Sequence, residues 1–298
     1  MDPRRLLLLR TVGDEGSLAA AARRLGTTQQ AVSQQVVRLE AEAGTALVVR
    51  QGRGTALTEA GALLARRGAD LASVLRAAQD DLAALSGLLR GEVAVAAFPT
   101  ATALVLPEAL AALAATAPDL DVRLAELEPP EAEDAVRAGR ADVALVFRHV
   151  GDPEPVPGDL VRRPLSSHAV HAVVRAGAPR PTRLGDLADE RWVAGCPRCR
   201  AHLVRAAATA RFTPDVRLAT DDHVAVQRLV AAGLGVALLP VWALRAAALP
   251  GVSTGPLEGV DDRVVEVLLR PEARRVPAVR ALVAELERVA RSVDGDGA

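Results

Sequence analysis

Ser17 to Glu40 reads SLAAAARRLGTTQQAVSQQVVRLE, two short helical patterns that meet at Gly26. Ser17 precedes Leu18, Ala21, Ala22 and Leu25 at helical spacing, which makes it a helix cap, and Gly26 ends that run. Thr27 or Thr28 caps the next helix, in which Val32, Val36 and Leu39 share one face. Gln30, Ser33, Gln34, Val37 and Arg38 project the other way at about 100° per residue. This outer face is built of uncharged hydrogen-bonding groups where charges would solvate a helix better. Amides and hydroxyls are the groups that read base edges, because a glutamine both donates to and accepts from adenine in the major groove, whereas an acid is repelled by phosphates. Two helices joined by a tight glycine turn therefore predict a helix-turn-helix, with the N-terminal residues of its second helix facing DNA. An αα-hairpin with a solvated glutamine-rich face is the alternative that the same pattern allows.

The flanks extend this unit. Asp2 before Pro3 is a cap with proline at the first helical position, and Leu6, Leu9 and Val12 give an apolar face to a helix ending near Gly13. Leu47 to Arg50, then QGRG at Gln51 to Gly54, then Thr55 to Leu57 read as a hairpin, a wing. Arg53 at its tip suits a minor groove and Arg50 a phosphate. Thr58 caps a long helix to Leu89 in which Leu71, Leu75, Ala78, Leu82, Leu85 and Leu89 follow 4-3-4-3-4 spacing. Such a seam on an exposed helix packs most simply on its copy in a second subunit, which makes Leu71, Leu75, Leu82, Leu85 and Leu89 the dimerisation residues.

Past Gly91 the pattern alternates strand and helix. Strands are expected at Glu92–Phe98, Asp121–Glu126 and Asp142–Phe147, with helices at Thr100–Ala115 and Pro130–Ala138 between them, which is βαβαβ and hence a parallel sheet. A second set runs through strands at Ala169–Val174, Trp192–Ala194, Val216–Ala219 and Val236–Leu239, with helices near His202–Arg211 and at Asp222–Ala232. A last strand at Val264–Leu269 and helix at Val276–Ala290 return to the first lobe. The expected organisation is an α/β chain with an all-α winged helix-turn-helix over 1–57, a linker helix over 58–90, and a two-lobed domain over 91–298. Lobe I takes 91–161 and 264–298, lobe II takes 162–263, and 148–162 and 251–263 are the paired crossovers.

Charge agrees with this division. The net charge is -1, yet residues 1–67 carry ten arginines against six acids, a balance of +4 that leaves about -5 for the rest. Lys, Ile, Asn and Tyr are absent, so every fixed cation is a guanidinium able to fork onto phosphate or carboxylate. The longest uncharged run, Leu229–Leu244, is broken by Gly233, Gly235 and Pro240 and is shorter than the ~20 residues of a membrane span. Leu6–Leu9 is too short for a signal-peptide core, so a cytoplasmic protein is expected.

The whole chain resembles the LysR-type transcriptional regulators. The resemblance rests on GSLAAAARRLGTTQQAVSQQVVRLEAEAG, the wing and LTEAG at Leu57–Gly61. In the two-lobed part it rests on FPTATALVLPEAL at Phe98–Leu110, AGRADVALV at Ala138–Val146 and TDDHVAVQRLVAAGLGVALLP at Thr220–Pro240. It implies lobes folded like periplasmic solute-binding proteins, an operator in double-stranded DNA, a small-molecule effector between the lobes, and a homodimer or homotetramer. It implies base reading by Thr28, Gln29, Gln30, Ser33 and Gln34, with Arg38, Arg50 and Arg53 as further DNA contacts. Gln30 stands where the family commonly has proline and Gln34 where it often has arginine, so the operator contacts there differ. It places the effector against Thr100, Ala101 and Thr102, against Cys196, Arg198, Cys199, Arg200 and His202, and against Thr220, Asp221 and His223. Those positions follow strands and open helices, where α/β sheets bind ligands and free N–H groups favour anions. Arg198 and Arg200 make a carboxylate effector a reasonable expectation.

GCPRC at Gly195–Cys199 holds both cysteines of the chain in one C-x-x-C, followed by His202. A redox pair, a metal site completed by His202 and His223, and two structural cysteines shaping the cleft are all compatible with that spacing. Catalytic signatures are lacking: GLGVAL at Gly233–Leu238 precedes a strand instead of following one, and G-x-S-x-G, Walker and H-E-x-x-H motifs are absent. No enzyme and no cofactor are expected. The rival readings are a redox- or metal-responsive regulator using Cys196 and Cys199, and an α/β solute-binding or redox module that does not bind DNA and whose N-terminal helices serve assembly only.

Overall fold

The computed structural model describes residues 1–51, 54–85, 90–153 and 158–295. The N-terminal unit comprises α1 (Pro3–Glu15), α2 (Leu18–Arg24) and α3 (Gln29–Ala43), then the hairpin of β1 (Val48–Gln51) and β2 (Gly54–Leu57), then α4 (Glu59–Leu85). The caps are the ones the sequence offers: Asp2 accepts from Arg4 N, Ser17 from Ala20 N and Thr28 from Ala31 N. Val32, Val36 and Leu39 are buried with Leu9, Val12, Ala21 and Ala22 in two small clusters that hold α1, α2 and α3 together. Gly61 lets α4 start against the hairpin, since a Cβ there would meet Leu47 O at 1.9 Å.

The first lobe contains β3 (Arg90–Ala97), α5 (Pro99–Leu104), α6 (Leu106–Thr116), β4 (Asp119–Glu126), α7 (Pro129–Arg137), β5 (Val143–His149) and β6 (Val161–His168). The second contains β7 (Val170–Arg175), β8 (Arg191–Ala194), α8 (Pro197–Thr209), β9 (Asp215–Ala219), α9 (His223–Ala231), β10 (Ala237–Pro240), α10 (Val241–Ala246) and β11 (Val252–Pro256). The chain then returns through β12 (Arg263–Leu269) and α11 (Pro277–Gly295) to the first lobe. The helix expected over 100–115 is two helices, because Pro107 lacks the N–H that would continue α5.

The first sheet has strand order β4-β3-β5-β12-β6, with β3, β4 and β5 parallel and β12 antiparallel to both β5 and β6. The second repeats that plan: β8 is parallel to β9, a parallel bridge joins Trp192 to Val236 at the start of β10, and β7 runs antiparallel to β10 and β11. Gly235 permits that bridge, since a Cβ there would lie 2.5 Å from Arg191 O. The sheets are thus mixed where a parallel sheet was expected. The lobe boundary moves as well: Val161–His168 belongs to the first sheet, so the chain crosses at Ala169 and again between β11 and β12. Apolar clusters cover both faces of each sheet, with α5, α6 and α11 on one side of the first and α7 on the other.

Candidate functional site

Two surfaces carry the chemistry. On the first, burial of Val32, Val36 and Leu39 forces the opposite face of α3 outward, leaving Thr28, Gln29, Gln30, Gln34 and Arg38 exposed and Ser33 half-buried. Arg50 is exposed on β1 beside it, and Arg53 lies outside the described residues. Thr28 has a second task, since its Oγ1 accepts from Ala31 N at 3.2 Å and caps the helix.

The second surface is the cleft between the lobes. Phe98, Thr100 and Glu128 approach from first-lobe strand ends, Cys196, Cys199, Thr220, Asp221 and His223 from the second lobe, and Phe147 and Arg263 close it. Arg263 is its centre, 4% exposed. Nη1 donates to Thr100 Oγ1 at 3.3 Å, Nη2 donates to Cys199 Sγ at 3.2 Å, and the guanidinium lies 3.7 Å from the Phe147 ring centroid. This single side chain therefore ties first-lobe Thr100 and Phe147 to second-lobe Cys199. Cys196 stands at the N-cap position of α8 without a side-chain cap hydrogen bond, and its Sγ lies 3.2 Å from Cys199 Sγ, both thiols being free. The cavity is about 40 Å³, room for a few waters only.

Several expected cleft residues stand elsewhere. Ala101 is fully buried in the first-lobe core, and Thr102 is absent from the cleft lining. Arg198 donates to Phe147 O at 3.1 Å, and Arg200 is exposed outside the lining, so neither is the cleft cation. His202 lines a smaller adjoining cavity, stacked on His149 with ring centroids 3.8 Å apart. Burial pushes the pKa of His202 down to about 4 and that of His149 down to about 2, so both rings are neutral at pH 7. Among the described residues no three His, Cys, Asp or Glu side chains gather as a metal set, which leaves Cys196 and Cys199 without the partners a metal site needs.

Sequence reading overlooked Glu128 and Arg263. Glu128 was within reach, since it sits at the N-cap of α7, the same strand-to-helix position that singled out Thr100. Arg263 comes from the return strand, with nothing local to mark it. Glu128 is half-buried, and its pKa is pushed up to about 8, chiefly by burial and further by Cys196, against the opposing charge of Arg263. The native protein therefore keeps a proton that the unfolded chain releases, and stability falls as pH rises from about 4.5 to about 8. Glu128→Gln removes that titration. Melting curves should show the variant matching wild type near pH 5 and gaining on it toward pH 8; parallel curves would mean Glu128 ionises normally.

Residues 3–62 match the model of the bacterial regulatory helix-turn-helix protein, lysR family, and residues 86–291 match the LysR substrate binding domain. The chain belongs to the LysR family of transcriptional regulators. It is a DNA-binding regulator with an effector-binding domain, and the relatives it matches are named as regulators, not enzymes. It is 26% identical to a probable HTH-type transcriptional regulator, LrrA of Synechococcus elongatus, over 100% of both chains. A full-length OxyR variant from Pseudomonas aeruginosa has a TM-score of 0.75 at 22% identity, covering 98% of this chain and 95% of that one, a likeness of fold. The LysR family regulator CbnR, solved full-length with its target DNA, has a TM-score of 0.55 at 25% identity, covering 97% of this chain and 100% of that one. Among the described residues no helix is long and apolar enough to cross a membrane.

Proposed function

We propose that this LysR-type regulator reads an operator with Gln29, Gln30, Ser33 and Gln34, and holds the backbone through Arg38, Arg50 and Arg53. The observation that carries the reading is the division of α3 into a buried Val32, Val36 and Leu39 face and an exposed uncharged polar one. The complex of CbnR with its target DNA supports the same use of the fold here. Two copies paired through α4 present two reading heads to half-sites about one turn apart, and the protein works in the cytoplasm, where its DNA is. The effector enters between the lobes, against Thr100, Thr220 and Cys199. With Glu128 protonated, Arg263 is the cation at the cleft centre, with Asp221 also in the lining, and its guanidinium favours an anionic or strongly polar guest. A guest larger than a few waters requires the lobes to part.

Titration of the protein against DNA flanking its own gene tests the reading. Specific affinity should fall steeply with salt as counterions are released. Gln34→Ala should lower specific affinity by about 1–3 kcal/mol with little change on random duplex, whereas Arg50→Ala weakens both. Equal affinity for random and flanking duplex at physiological salt would refute operator reading, and equal loss on both for Gln34→Ala would remove that residue from base contact.

A further inference from the structure

We propose that Cys196 and Cys199 are a hydroperoxide-reactive dithiol, and that closing their disulfide is a signal the effector cleft transmits. The inference deepens the regulator reading and rests on it for its output. The geometry carries it. The two sulfurs are 3.2 Å apart within one turn at the start of α8, so a disulfide closes by a small movement of either side chain. Cys199 is half-buried and lines both the cleft cavity and the smaller one beside it, whereas Cys196 is 4% exposed and lines the cleft cavity alone. Arg263 donates to Cys199 Sγ, and its Nε is buried with no hydrogen-bond partner, as is Glu128 Oε2 across the cavity. A cavity of about 40 Å³, bordered by a buried donor and a buried acceptor without partners, suits a molecule of hydrogen-peroxide size better than a bulky one while the lobes are closed.

The two thiols are also made unequal. The S–H of Cys196, then Arg263, pull the pKa of Cys199 down against the cost of its burial, while Cys196 is pushed up. Cys199 is therefore the attacking thiolate and Cys196 the resolving thiol. Cys199 Sγ attacks one peroxide oxygen, an S–O bond forms, the O–O bond breaks, and the departing oxygen takes a proton to leave as water, or as an alcohol from an organic hydroperoxide. Cys196 Sγ then attacks the Cys199 sulfenic acid, the S–O bond breaks, the S–S bond forms, and the Cys196 proton leaves with the hydroxyl as water. Two thiols are oxidised by two electrons and one hydroperoxide is reduced. The product carries no thiolate, so Arg263 loses the second-lobe partner through which it ties Cys199 to Thr100 and Phe147. That is the step by which oxidation reaches the lobe arrangement.

Reduced full-length protein is mixed with a slight excess of hydrogen peroxide, and separately with cumene hydroperoxide, then followed by intact mass, thiol count and operator binding. The expected result is a loss of about 2 Da and of both thiols in a Cys196–Cys199 peptide, with hydrogen peroxide reacting about tenfold faster than it does with free cysteine at pH 7. Hydrogen peroxide should outpace cumene hydroperoxide, and operator affinity should change by about fivefold or more. Cys196→Ser should stop at a sulfenic acid that dimedone traps, and Cys199→Ser should leave Cys196 unreacted. Thiols that react no faster than free cysteine overturn the proposal, as do a disulfide between chains, faster reaction with cumene hydroperoxide, or unchanged operator affinity after oxidation. The mass and thiol readouts on the wild-type protein stand without the variants. Reduced protein that binds its operator but ignores peroxide sinks the dithiol alone, whereas disulfide formation in a protein with no sequence-specific DNA binding sinks the regulator reading alone.

Discussion

Arg270→Met should destabilise the effector domain by about 3–5 kcal/mol, the cost of removing one member of a buried ion pair. Arg270 is 3% exposed just past the end of β12. Its Nη1 donates to Val136 O and Ala141 O, its Nη2 donates to Ser73 Oγ, and Nη2 lies 3.5 Å from Asp142 Oδ1. Asp142 in turn accepts from Ala94 N at 3.0 Å, so one guanidinium fastens α4 to the turn after α7 and, through Asp142, to β3. Methionine fills the space but leaves Asp142 and two carbonyls buried without that donor. Trp192 and Trp242, the two tryptophans of the chain, are fully buried in the lobes and report the transition. A urea titration followed by their fluorescence should place the variant well below wild type. Adding Asp142→Asn should recover part of the loss, with a coupling of about 0.5–3 kcal/mol. Additive losses would mean that Arg270 acts through packing and not through charge.

What the sequence disclosed followed the range of the signal. The N-terminal unit is local: Asp2 with Pro3, Ser17 and Thr28 each cap the helix beside them, and a period of 3.6 residues fixes which face of α3 is buried. The strands overlooked, Val161–His168 and Val252–Pro256, are edge strands of the two sheets. An edge strand tolerates Pro164 and a run of polar residues that no buried strand would, so neither carries the apolar signature by which the central strands were found. Missing them displaced the lobe boundary. The cleft divides in the same way. Thr100, Thr220 and Cys196 are legible as residues after strands, and Glu128 follows the same rule. Arg263 reaches Thr100 across 163 residues of chain, and only the antiparallel return of β12 brings the two together. Arg198 was the cation nearest in sequence, but its guanidinium is engaged by Phe147 O.

The joint replacement Leu75→Asp with Leu82→Asp should leave the lobes folded and lower operator affinity by about 10²-fold or more, the advantage gained when two linked reading heads bind together. One face of α4 is already committed, since Ala69 and Ser73 are buried. The opposite face is apolar and exposed, with Val74 at 50%, Leu75 at 51% and Leu82 at 67%, and Leu71 half-buried beside them. Leu85 ends the described helix, and Leu89 lies outside the described residues. An exposed stripe of this kind, spaced as a heptad seam, fits a second copy of the same helix, and that pairing sets two α3 helices apart for two half-sites. Aspartates in the seam would be desolvated on pairing, which the pair cannot sustain without opening. Sedimentation should show the variant reduced in size relative to wild type, its tryptophan fluorescence unchanged, and its binding to a single half-site nearly normal. A variant that sediments as wild type and binds the full operator as tightly would remove α4 from the dimer interface.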